Sequence, residues 1–105
     1  MKLVRRNIPR LYEAGELVPR DGDRDYTFRR VSRKKLALLL RLKLAEEVGE
    51  ILSAPDHDTF MDEIGDLMDV LETLRALEGE TSVDLERRRA KKKRLGGFAN
   101  GWVLE

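Results

Sequence analysis

Apolar and polar positions along the chain change period, and the changes, with the turn residues between them, mark its elements. Residues 8–14, IPRLYEA, follow Asn7 as an N-cap, tolerate Pro9 in a first turn and end at Gly15, which predicts a short helix. PRDGDRD carries turn chemistry, and the aromatic and β-branched residues of YTFRRV then predict a short extended segment. Ser32 is a good N-cap for a long helix through about Ala54. In the next loop, SAPDHD, Pro55 stops that helix and Asp58 caps another running from Thr59 to about Glu78, closed by Gly79. Ser82 starts a further helix over VDLERRRAKKKRL, ended by Gly96 and Gly97, and the Asn-Gly of FANGWVLE marks a turn in an extended tail.

The two long helices differ in pattern. Phe60, Ile64, Leu67, Leu71 and Leu74 form one apolar stripe on the second, with Asp62 and Asp69 well outside it. The first carries a second apolar arc, Leu38, Leu42, Ala45 and Leu52, besides the one through Leu36, Leu39 and Leu40. It is therefore hydrophobic on nearly all sides and needs cover from two directions. The expected fold is all-α: an antiparallel helical hairpin plus short helices, with short extended N- and C-terminal arms, completed as a helix bundle by a homodimer or homotetramer. The 105 residues form a single domain over 1–105.

Four acids break the apolar pattern. At about 100° per residue, Glu47 falls between Leu36 and Leu40, and Glu50 between Leu39 and Leu36. Glu63 falls between Val70 and Leu74, and Asp66 lies beside Leu77 at the stripe's edge. Folding the chain at residues 55–57 sets Glu50 opposite Glu63 and Glu47 opposite Asp66. Either ExxE or ExxD alone is ordinary helix decoration, paired at i,i+4 with lysine or arginine. Four ionised carboxylates on facing apolar surfaces repel one another and lose hydration, which calls for a cation. An all-oxygen set suits Mg²⁺ or Mn²⁺, with water and a phosphate-bearing substrate completing the shell. Lys43, one turn before Glu47, either pairs with these acids or contacts a substrate phosphate.

Composition narrows the rest. Charged residues make up 39% of the chain, so isolated acid pairs carry little weight, and a net charge of +1 gives no global signal for a polyanionic partner. With no cysteine and a single histidine, His57, thiolate and imidazole metal sites are excluded or improbable. The cysteine count and the absence of an apolar leader or span point to a cytoplasmic location and no membrane partner. The basic run from Arg87 to Arg94 is too dense for one helix face. Its residues nearest Gly96 and Gly97, namely Lys93 and Arg94, are candidates to hold triphosphate oxygens with help from glycine N–H groups. A solvated helix end is an equal reading, and nucleic acid is the weakest, because no aromatic platform interleaves the run. Phe98 and Trp102 read as packing anchors of the tail.

EExxE followed by ExxD across a helical hairpin resembles the MazG-like all-α nucleoside triphosphate pyrophosphohydrolases. KLVRRNIP is similar to the KLVRDKIP opening of the small, phosphoribosyl-ATP pyrophosphohydrolase-like members, and KKKRLGGF to their basic-then-GGF ending. Arg6 and Asn7 depart from that opening, which has Asp and Lys there. The resemblance implies that Glu47, Glu50, Glu63 and Asp66 are Mg²⁺ ligands and that Glu46 orients or deprotonates the attacking water. The implied reaction splits a nucleoside triphosphate between its α- and β-phosphates, giving a monophosphate and pyrophosphate, typically to clear noncanonical nucleotides. Alternatives are phosphoribosyl-ATP pyrophosphohydrolase activity in histidine biosynthesis and a non-catalytic helical module that binds a partner or nucleic acid.

Overall fold

Where apolar residues recur every three or four positions, the chain is helical, and the computed structural model, which describes residues 1–17 and 25–105, is all-α. Among the described residues there are four α-helices: α1 (Ile8–Glu13), α2 (Arg33–Leu52), α3 (His57–Leu77) and α4 (Ser82–Ala90), followed by a single 3₁₀ turn over Lys93–Leu95. The turn expected over PRDGDRD lies outside the described residues except for Asp25. No helix among the described residues is long and apolar enough to cross a membrane.

Local signals set most of the boundaries. The Ser32 side chain accepts a hydrogen bond from the Lys35 amide at 3.1 Å, which caps α2. At the start of α3 the cap is Asp56, not the expected Asp58. Asp56 has extended backbone geometry and accepts from the Thr59 amide at 2.8 Å, whereas Asp58 lies in the first turn, where its charge favours the helix dipole. That bond holds the Asp56 carboxyl below its ordinary range. Gly79, at φ +79°, closes α3, with the Gly79 amide bonded to the Ala76 carbonyl and the Glu80 amide to the Arg75 carbonyl. Thr81 and Asp84 form a reciprocal capping box at α4.

Other local expectations are not met. Asn7 stands at the N-cap of α1, but its side chain makes no capping bond. YTFRRV forms no strand; instead Tyr26 and Phe28 pack on Tyr12, with ring centroids 5.5 Å from it in both cases. The Tyr26 amide donates to the Tyr12 hydroxyl at 3.1 Å, so aromatic packing against α1 replaces pairing with a second strand. The helix expected through Leu95 stops at Ala90, and the bonds Lys91 to Arg88, Lys92 to Arg89 and Leu95 to Lys92 span only three residues. Like charges one turn apart along the basic run disfavour continuing the α-helix.

The main packing between elements is α2 against α3. Arg33 at the start of α2 donates to the carbonyl of Leu77 at the end of α3, and Arg41 lies 3.8 Å from Glu78. Leu40 and Val70 are the buried apolar residues at this contact. Phe60 and Leu71, expected in the α3 stripe, are exposed, so the packed side of α3 is rotated towards Glu63, Ile64, Leu67, Val70 and Leu74. The second arc of α2 is open, with Leu42 58% and Leu52 82% exposed. A radius of gyration of 17.9 Å, against about 13 Å for a compact chain of this length, reflects how little core these helices close.

Candidate metal centre

Glu47 is the one charged residue buried among the described residues, with 3% of its surface exposed. Its place follows from helix phase: it lies seven residues beyond Leu40, on the same side of α2 and one turn after Lys43. Glu50 follows three residues later, and Glu63 enters from the second turn of α3. One carboxylate oxygen from each of Glu47, Glu50 and Glu63 lies within 4.8 Å of the others. This brings three of the four expected ligands together.

The cluster is under-compensated. Lys43 Nζ is 3.3 Å from Oε1 of Glu47 and 3.6 Å from Oε1 of Glu46. Desolvation opposes the charge on Lys43, but the hydrogen bond to Glu47 and the fields of Glu46, Glu47 and Glu50 hold its pKa above the ordinary lysine value. Oε2 of Glu47 and Oε2 of Glu63 are buried without a hydrogen-bond partner. Buried polar atoms are almost always satisfied, so two orphaned oxygens in one acidic cluster mark a place for a cation or a proton. Glu63 shows the proton's side of that choice: the neighbouring Glu50 carboxylate, then desolvation and the Glu47 carboxylate, raise its carboxyl to about 7.

Asp66 stands apart. Its Oδ1 accepts from Arg5 Nη2 at 2.6 Å, while Arg5 Nη1 reaches Asp69 Oδ2 at 2.7 Å. Glu63 approaches both glutamates of α2, Asp66 is not one of this group of three, and it is bonded to the N-terminal segment. Arg5 was not singled out from the sequence, although it belongs to the quoted KLVRRNIP opening, which was the signal available.

Glu46 lies beside the cluster, half exposed and facing Lys43. Lys93, Arg94, Gly96 and Gly97 are exposed on the chain after α4, as are Phe98 and Trp102, so the aromatic anchors expected to pack the tail do not pack within this chain. Gly96 has φ +76° and ends the 3₁₀ turn, a backbone geometry that explains glycine at this position without any ligand. Arg87, Arg88 and Arg89 are paired with Asp84, Glu80 and Glu86, so the first half of the basic run is neutralised locally. His57 is exposed at the first residue of α3.

The donor set of the cluster is wholly carboxylate and partly desolvated, which fits a hard divalent cation and not a thiolate- or imidazole-seeking one. Comparison of the chain with family models, curated proteins and solved structures gave no match.

Proposed function

We propose that this chain is a Mg²⁺-dependent nucleoside triphosphate pyrophosphohydrolase of the cytoplasm, converting a nucleoside triphosphate and water to a monophosphate and pyrophosphate. The observation that carries the reading is the pair of unpartnered oxygens, on Glu47 and Glu63, inside a three-carboxylate cluster between two packed helices. Glu47, Glu50 and Glu63 would hold Mg²⁺ or Mn²⁺, with Asp66 available one turn along α3. When bound, such an ion supplies neutralisation of phosphate charge and polarisation of the reacting phosphorus.

The chain's own residues supply the remainder. Lys43 draws Glu46 and Glu47 together, fixing one wall of the site. Glu46, more exposed than Glu47, would accept a proton from water entering beside the cluster. Lys93 and Arg94, with the N–H groups of Gly96 and Gly97, would meet the triphosphate from the exposed C-terminal segment.

The helical hairpin of α2 and α3 is half of the working unit in this reading. Leu38, Leu42 and Leu52 on α2 and Met61 and Met68 on α3 leave an apolar surface that a second copy covers, giving a homodimer or homotetramer with its sites near the interface.

The test is pyrophosphate release from a panel of canonical and modified nucleoside triphosphates and phosphoribosyl-ATP in the presence of Mg²⁺. The wild type is compared with Glu47→Gln and Glu63→Gln, which keep shape and remove charge. Metal-dependent release lost in both variants supports the reading, and the preferred substrate separates nucleotide clearance from histidine biosynthesis. Release that survives both substitutions moves the chemistry elsewhere, and no release from any substrate leaves a binding module.

A further inference from the structure

We propose that Arg5 is a clasp that competes with a divalent cation for Asp66, so that cation binding and release of the N-terminal segment are coupled. The inference rests on the carboxylate cluster being a cation site and concerns what limits its affinity. Asp66 follows Glu63 by three residues, so the two carboxylates share one side of α3, yet Asp66 is outside the cluster of three. It is paired instead with a cation the chain itself provides. The planar guanidinium of Arg5 spans Asp66 and Asp69, at 2.6 and 2.7 Å. Its charge is constant across the pH range in which carboxylates and imidazoles titrate.

Asp69 is mostly exposed and takes the other end of the fork offered by Arg5. The same residue is tied to the helix that follows: the Ile8 amide donates to the Arg5 carbonyl at 3.1 Å, in the turn that leads into α1. A cation that recruits Asp66 removes one of the two acids holding Arg5 and loosens this turn. By linkage, whatever fastens Arg5 to Asp66 weakens the cation by the same factor. Arg5 and Asp69 are well exposed and Asp66 is partly so, so the factor is small, comparable with other surface ion pairs.

Mn²⁺ titrated calorimetrically into the full chain, together with amide hydrogen exchange, tests this without any turnover assay. Arg5→Gln and Arg5→Lys are expected to bind Mn²⁺ about two- to fivefold tighter than wild type. The lysine variant keeps the charge but lacks the fork. Arg6→Gln, the same charge change one residue away, controls for net charge and is expected to shift affinity less. In the wild type, saturating Mn²⁺ is expected to speed exchange at the Ile8 amide. The clasp is overturned if both Arg5 variants bind Mn²⁺ as wild type does or more weakly, if Arg6→Gln tightens binding as much as Arg5→Gln, or if Ile8 exchange is unmoved. Those results leave the cluster a cation site, whereas a wild type that binds no Mn²⁺ removes both the clasp and the metal reading.

Discussion

Lys43 Nζ lies 3.3 Å from one oxygen of the buried Glu47 carboxylate, and the other oxygen of that carboxylate has no partner. One lysine therefore compensates half of a buried charge and leaves the other half to whatever enters the cluster. Replacing Lys43 with Met strands Glu47 beside Glu50 and Glu63. The expected loss is about 1–2 kcal/mol, below the usual cost of breaking a fully buried pair because Lys43 retains some contact with solvent. Thermal melting with and without Mg²⁺ checks it: the loss should shrink when Mg²⁺ is present, and equal losses under both conditions would count against a cation at Glu47.

Glu47→Gln should have the opposite sign. The amide removes a buried charge from among like charges and can donate to Glu63, so the variant is expected to melt higher than wild type in chelator. It should also lose most of the stabilisation by Mg²⁺. A functional site held at the expense of stability gives this crossover, whereas a carboxylate serving only the fold gives a variant less stable under both conditions.

The carboxyl of Glu63, raised to about 7 from an ordinary value of 4.5, predicts a pH dependence of defined sign. Between those values the folded chain holds a proton that the unfolded chain has released, so stability falls as pH rises through this window. The contribution is fully present below the lower value and gone above the upper one. In chelator, melting temperature should therefore decline from about pH 5 to pH 8 at this site, and Glu63→Gln should flatten that decline. Mg²⁺ competes with the same proton, so its binding should strengthen over this range. Calorimetry in buffers of different ionisation enthalpy would show proton release near pH 6 and none near pH 8.

The positions of Glu47, Glu50 and Glu63 were legible because helix periodicity alone places them among leucines, and distance from a common loop is enough to make them meet. Asp66 was legible as an edge residue, but not its partner. Arg5 lies 61 positions away in a segment without periodicity, and no local rule links the two. Asp56 and Asp58 stand two residues apart in the same loop, and only the extended backbone at Asp56 distinguishes the α3 cap from its first-turn neighbour. The end of α4 was not legible because propensity favours arginine and lysine in helices, whereas Lys91 to Arg94, unlike the paired arginines of α4, have no acid one turn back to offset their mutual repulsion. The aromatic contacts of Tyr12, Tyr26 and Phe28 depend on how the chain returns to α1, which the extended pattern of YTFRRV does not encode.

Apolar exposure on α2 gives a prediction about assembly. In the proposed reading Leu38 and Leu42 are covered by a second copy, so the mass in solution should be a multiple of 12.1 kDa. Leu42→Glu should reduce it towards one chain, because a carboxylate cannot be buried there without a partner. Light scattering coupled to size exclusion measures both. A wild type that is monomeric at high concentration would remove the composite site, and pyrophosphate release by that monomer would place the whole site within one chain.

Gly79 provides a stability control away from the carboxylates. Its φ of +79° is costly for any residue with a Cβ, and the space around it is open, so Gly79→Ala introduces backbone strain without a clash. The expected loss is about 1 kcal/mol, felt where α3 ends and the chain turns towards the Thr81 capping box. The cluster lies at the opposite end of α3, so Mn²⁺ affinity should be unchanged despite a lower melting temperature. If affinity falls together with stability, the cluster depends on the integrity of the whole helix pair, and reduced binding in any Glu47 or Glu63 variant would have to be corrected for its own change in stability.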